Sequence, residues 1–93
     1  MKVYTTDEFK KLIAQNPNGG IVFAESNEFG ERTDELHVTN GLFGATCVVP
    51  EDGEAYSYDW NINEFTNDYY FVVYDREDIL LMVKTLTSGL KND

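Results

Sequence analysis

The first quarter of the chain has the pattern of a helix followed by a strand. Thr5 and Glu8 have the spacing of a capping box, which predicts that a helix begins at this point. Proline and glycine end the helical pattern at residues 16–20. The short apolar run at residues 21–24 then predicts a buried strand. The apolar stripe of the helix consists of Phe9, Leu12 and Ile13.

The centre of the chain has the β-branched and aromatic bias of strands. Asn40-Gly41 and Asp52-Gly53 are two-residue hairpin signals, because type I′ turns need positive φ at both central positions. Between residues 54 and 60, aromatic residues alternate with small or polar ones, which predicts one buried and one solvated face. The predicted strands are residues 35–39, 42–49, 54–60 and 69–74.

The C-terminal quarter predicts a strand followed by a second helix. Residues 70–73 are apolar on both faces, as in a strand placed mid-sheet, and Asp75 is a suitable N-cap. Gly89 is the expected C′ residue of this helix. Its predicted core stripe is Ile79, Val83, Leu86 and Leu90. We therefore expect an α+β fold with an N-terminal helix, an antiparallel meander of about five strands and a C-terminal helix.

Length and composition favour a single domain over residues 1–93, since 42% of the residues are apolar. One cysteine cannot form an internal disulfide, and one cysteine with one histidine cannot complete a zinc site. No signal-peptide pattern or membrane-spanning run is present in the sequence. We expect a cytoplasmic protein with no cofactor, no bound metal and no membrane association.

Charge is distributed unevenly along the chain. The net charge is −10, which disfavours direct binding to nucleic acid and favours a cationic partner. Residues 33–75 contain no lysine or arginine but nine carboxylates. The negative charge is therefore concentrated in the centre of the sequence.

Two patterns could indicate a metal site or a catalytic pair, but a structural role of the same residues explains them better. Asp59-x-Asn61-x-Asn63 matches the start of an EF-hand loop, but the sixth position is Glu64 rather than glycine. Cys47 and His37 could pair as nucleophile and base, but a two-residue Asn40-Gly41 loop puts them on opposite parities. We expect a buried Cys47, a His37 on the solvated face of its strand, and no enzymatic activity.

Aromatic and acidic residues interleave in the centre of the chain, a combination suited to an arginine-rich or lysine-rich surface. We expect the acids to supply charge and Tyr58 or Trp60 to act as anchors. The predicted partner-binding residues are Glu51, Asp52, Glu54, Tyr58, Asp59, Trp60, Glu64 and Asp68.

Three segments resemble small uncharacterised proteins of phages and prophages of Gram-positive bacteria. These segments are FKKLIAQNPNGGIVFAE (9–25), DWNINE (59–64) and LTSGL (86–90). Short acidic phage proteins include anti-CRISPR and anti-restriction inhibitors, some of which imitate DNA by spacing carboxylates like phosphates. The resemblance implies an inhibitor acting in the cytoplasm of a host cell.

These observations lead to the hypothesis of an acidic, DNA-mimic-like inhibitor that blocks the basic surface of a nucleic-acid-binding defence protein. We expect it to be a monomer or homodimer. The alternatives are an immunity protein or antitoxin for a cognate nuclease, and a self-associating structural module.

Overall fold

The computed structural model describes residues 1–49, 54–61, 64 and 69–91, and for residues 85–91 it describes the backbone path. The fold is α+β, with an antiparallel sheet of six strands and two helices. The elements in chain order are β1 (Lys2–Thr5), α1 (Thr6–Gln15), β2 (Val22–Ser26), β3 (Leu36–Thr39), β4 (Gly44–Val49), β5 (Glu54–Asp59), β6 (Tyr70–Tyr74) and α2 (Arg76–Lys91).

The strand order β1-β6-β2-β3-β4-β5 corrects the expected meander of about five strands. Strands β2 to β5 do form a meander, but β6 returns across the sheet and pairs with both β1 and β2. This central position explains the apolar sequence of β6, in which Val72 is fully buried. The N-terminal strand β1 was not predicted, because four residues are too few to establish a period.

The first helix begins and ends as predicted. Thr5 is the N-cap, and its capping box with Glu8 is complete in both directions. Helix α1 ends at Gln15, and the Asn16 side-chain amide donates to the Leu12 carbonyl in its last turn. The helix is therefore specified by local signals at both ends.

Helix α1 packs on one face of the sheet, hereafter the α1 face, which carries Phe23, Phe71 and Tyr58. Phe9 is fully buried there and stacks on Phe71 at 4.4 Å between ring centroids, and it lies 4.8 Å from Phe23. Ile13 is also fully buried. The predicted helical stripe therefore supplies the centre of the core.

The β3–β4 connection is longer than the predicted two-residue turn. Thr39 pairs with Ala45, so residues 40–44 form the loop, and within it only Gly41 has positive φ. The Trp60 backbone amide and indole Nε1 donate to the carbonyls of Phe43 and Leu42, at 2.7 and 3.1 Å. These contacts from a distant residue hold the loop in its wider form. The second predicted hairpin is confirmed by the pairing of Val49 with Glu54, although its turn lies outside the described residues.

The second helix begins as predicted but continues further. The Asp75 carboxylate accepts from the Asp78 backbone amide at 2.8 Å, as an N-cap does. Gly89 lies inside the helix, which runs to Lys91, so it is not the C′ residue. Val83 is 54% exposed rather than part of the core. No helix in the described part of the chain is long and apolar enough to cross a membrane.

Candidate functional site

In the part of the chain that the structure describes, no helix covers the α1 face at the end formed by β3, β4 and β5, since α1 contacts mainly β1 and β6, and α2 contacts β6. Side chains on this face follow the register of the strands. Phe23 pairs with His37, His37 with Cys47, and Cys47 with Tyr56. Paired residues of antiparallel strands point to the same side, so these four side chains form one row across the sheet.

A groove of about 510 Å³ lies beside this row and is hereafter the acidic groove. Its aromatic lining residues are Phe23, Tyr58, Trp60, Tyr69 and Phe71. Its acidic lining residues are Glu25, Asp34, Asp59 and Glu64, and His37 completes the lining. Lysine and arginine are absent from this set of described lining residues.

His37 is held in the wall of the acidic groove by contacts on both ring nitrogens. Nδ1 shares a hydrogen bond of 2.8 Å with the Tyr58 hydroxyl, and Nε2 lies 3.2 Å from the Asp34 carboxylate. The imidazole also stacks on Phe23, with 5.3 Å between ring centroids. The residue is 8% exposed, so the expected position on a solvated face is wrong.

The face of His37 follows from its pairing with Phe23 in β2. The wider β3–β4 loop has a separate effect. It makes His37 and Cys47 cross-strand partners, whereas a two-residue loop would have placed them on opposite parities. Cys47 is buried as expected, with 1% of its surface exposed. Because Asp34 and Tyr58 contact the two nitrogens of His37, the ring is positioned as part of the wall rather than directed at the thiol.

Tyr58 contacts both His37 in the wall of the acidic groove and Trp60 beside it. Its ring packs edge-on against Trp60 at 6.0 Å, while its hydroxyl reaches back to His37. Burial raises the pKa of Tyr58 to about 12, and the nearby Cys47 and Asp34 act in the same direction. The phenol therefore stays protonated and available for hydrogen bonding over the physiological pH range.

The predicted partner-binding residues are only partly brought together. Tyr58, Asp59, Trp60 and Glu64 line the acidic groove, although strand alternation directs Asp59 to the side opposite Tyr58 and Trp60. Glu54 is exposed at the far end of β5 and does not line the groove. Glu51, Asp52 and Asp68 lie outside the described residues.

Sequence reasoning missed Glu25 and Asp34 as groove residues. Glu25 follows Phe23 by two positions in β2, so it lies on the same face as that buried ring. A carboxylate on the inward face of a strand was the available signal for Glu25. Asp34 precedes β3, and its place in the groove follows from its contact with His37, which no local pattern predicts.

The acidic groove combines negative charge with aromatic surface. In the described part of the chain, the Met1 amino group pairs with Asp78, and the Asp34 carboxylate lies beside the His37 imidazole. The carboxylates of the groove therefore have no lysine or arginine partner among the described residues. This arrangement can accept a cationic group between carboxylates and ring faces.

Comparison with known proteins gave no match to a protein-family model, a curated protein or a solved structure. The function is therefore inferred from the geometry and charge of the acidic groove.

Proposed function

We propose that the protein is a stoichiometric inhibitor that occupies a cationic surface of a nucleic-acid-binding protein through the acidic groove. The observation that carries this proposal is the lining of the groove, which joins four carboxylates to five aromatic side chains. The net charge of the whole chain, −10, also favours such a partner, because it attracts a basic surface and repels nucleic acid.

Arginine is the side chain that fits this lining best. Its guanidinium is planar and weakly hydrated, so it stacks on an aromatic ring while its edge donates to carboxylates. Asp34 and Glu64 offer carboxylates on the described lining, and Trp60 offers a ring at the same groove. Surfaces that bind nucleic acid are rich in such arginines, and an inhibitor that pairs with them competes with phosphate.

The proposal can be tested with Trp60 as an intrinsic probe, since it is the only tryptophan in the chain. A short arginine-only peptide is titrated into the protein while Trp60 fluorescence is recorded at increasing salt. We expect binding that weakens steeply with ionic strength, because exposed charges are screened. In a second assay, the protein should release labelled duplex DNA from its complex with the same peptide.

Matched variants separate the groove from net charge. Asp34→Asn combined with Glu64→Gln removes two groove carboxylates, whereas Glu28→Gln combined with Glu77→Gln removes two exposed carboxylates outside the groove lining. The groove variant should lose roughly tenfold or more in peptide affinity, and the control much less. Equal losses would mean that net charge alone attracts the peptide, and salt-independent binding would contradict the electrostatic mechanism.

A further inference from the structure

Strand β5 is the last strand of the sheet among the described residues, and its outer edge is exposed. Among the strands that the structure describes, it pairs with β4 alone, over the whole of its length. The side chains from Glu54 to Ser57 are exposed, and Tyr56 has 58% of its surface accessible. The backbone groups of β5 that point away from β4 can therefore pair with another strand.

We propose that the edge of β5 receives an extended basic segment of the partner as an added antiparallel strand, an inference that rests on the function proposed above. Charge selects this occupant. Glu54 and Asp59 stand at the two ends of β5. If two copies of β5 paired around a two-fold axis, two chains that each carry a net charge of −10 would meet along an edge with Glu54 and Asp59 from both copies, and this repulsion is destabilising. A segment with arginine or lysine beside Glu54 is attracted to this edge, whereas a second copy is repelled.

The opposite edge of the sheet offers a weaker docking position. Strand β1 is four residues long and carries Lys2, whose ammonium lies 5.1 Å from the centre of the Tyr4 ring. The turn at Gly30 packs against β1 so closely that a Cβ there would come within 2.9 Å of Val3 Cγ2. The longer, exposed and acidic edge is therefore that of β5.

An added strand would also extend the acidic groove. Strand alternation puts Glu54, Tyr56 and Tyr58 on the α1 face. Neighbouring strands lie about 4.8 Å apart, so every second side chain of the added strand would lie directly beside this row. Arginines at those positions would contact the tyrosine faces and Glu54, and main-chain hydrogen bonds would supply affinity that does not depend on side chains.

The test uses two short peptides of equal charge, one alternating arginine with valine and the other alternating arginine with proline. Proline removes backbone donors and does not pair as a strand within a sheet. Binding is followed by Trp60 fluorescence, and hydrogen exchange is measured for the amides of residues 54–59. We expect the proline peptide to bind roughly tenfold more weakly or worse. We also expect the valine peptide to protect alternate amides of β5.

The result that would overturn the proposal is equal affinity of the two peptides, or binding of the valine peptide without new protection in β5. In either case the acidic groove would still bind cations and the proposed function would stand. Failure of both peptides to bind would contradict the function and the added strand together. Protection of outward-facing β5 amides in the free protein, together with a dimer in sedimentation, would show that a second copy occupies the edge. Glu54→Gln should weaken the binding of the valine peptide more than Glu28→Gln does.

Discussion

The two ends of the α1 face are built in different ways. At the end formed by β1, β6 and β2, helix α1 covers the sheet, and its Phe9 and Ile13 are fully buried. At the end formed by β3, β4 and β5, the sheet is covered by its own side chains, with His37, Tyr58 and Trp60 around the acidic groove.

Charge follows the same division. Lys2, Lys10 and Lys11 belong to β1 and α1, whereas residues 33–75 contain no lysine or arginine. One end of the face therefore supplies stability and the other exposes acidic and aromatic groups. The difference implies that substitutions at the covered end act on folding, while those at the open end act first on binding.

We expect the largest effect from Phe9→Ala at the covered end, which should lower the free energy of unfolding. Phe9 is fully buried and packs on both Phe23 and Phe71, so its removal leaves a cavity and should cost about 3–5 kcal/mol. Phe43→Ala is the matched control at the open end, where the side chain is 68% exposed, and should change stability by about 0.5 kcal/mol or less. Urea unfolding measures both, and similar losses would contradict the division between the two ends.

A smaller loss of stability is expected from Tyr58→Phe. The substitution keeps the tyrosine ring but removes the hydroxyl that shares a hydrogen bond of 2.8 Å with His37 Nδ1. The Nδ1 atom of the buried imidazole then lacks this partner. Such a loss should cost about 1–3 kcal/mol in urea unfolding. Tyr69→Phe is the control, because Tyr69 is 49% exposed and lines the same groove. If the two variants were equally stable, the Tyr58–His37 bond would not hold the open end together.

The contrast also explains what the sequence could predict. The covered end is specified locally, since the capping box of Thr5 and the apolar stripe of α1 lie within a few residues of each other. The alternation of Tyr56 and Tyr58 likewise predicted that these side chains share a face of β5, but the predicted burial of this face is wrong for Tyr56, which is 58% exposed. These features depend on period and capping, which can be recognised within one segment.

The open end depends on contacts between distant residues. Trp60 donates to the Leu42 and Phe43 carbonyls in the β3–β4 loop, and the length of this loop decides which residue of β4 lies opposite His37. The return of β6 between β1 and β2 is equally non-local. Glu25 was missed because it precedes the central window of charge, and Asp34 was missed because its place in the groove depends on its contact with His37.

The stability difference between the wild type and Tyr58→Phe should depend on pH. The pKa of Tyr58 is raised from 10.0 to about 12 in the folded protein, so folding favours the protonated phenol. The contribution of this phenol is complete below pH 10 and is lost as pH rises through about 12. Thermal unfolding should therefore show the two proteins converging between these pH values. A constant difference over this range would contradict the burial of the hydroxyl.

The smallest effect is expected at the covered end, from Asp78→Asn, which tests how α2 is attached to β1. The Met1 amino group and the backbone amide of Asp75 hold the pKa of Asp78 below its usual 3.8, and Asp78 raises the pKa of the Met1 amino group above 8.0. The attraction between the Met1 amino group and Asp78 is therefore complete at pH values between the two pKa values. It is lost in acid as Asp78 is protonated, and it is lost in base as the amino group is deprotonated.

Asparagine keeps the shape of Asp78 and one acceptor oxygen for the Asp75 backbone amide, and it removes the negative charge. The variant should melt slightly below the wild type at neutral pH and low salt. The difference should disappear at high salt, because the amino group is exposed and the Asp78 side chain is only partly buried. Glu77→Gln is the control, since it removes the same charge from the same helical turn without a direct ion pair to the amino group. If both variants melted alike, helix-terminal charge in general would account for the effect, and the Met1–Asp78 pair would not anchor α2 to the covered end.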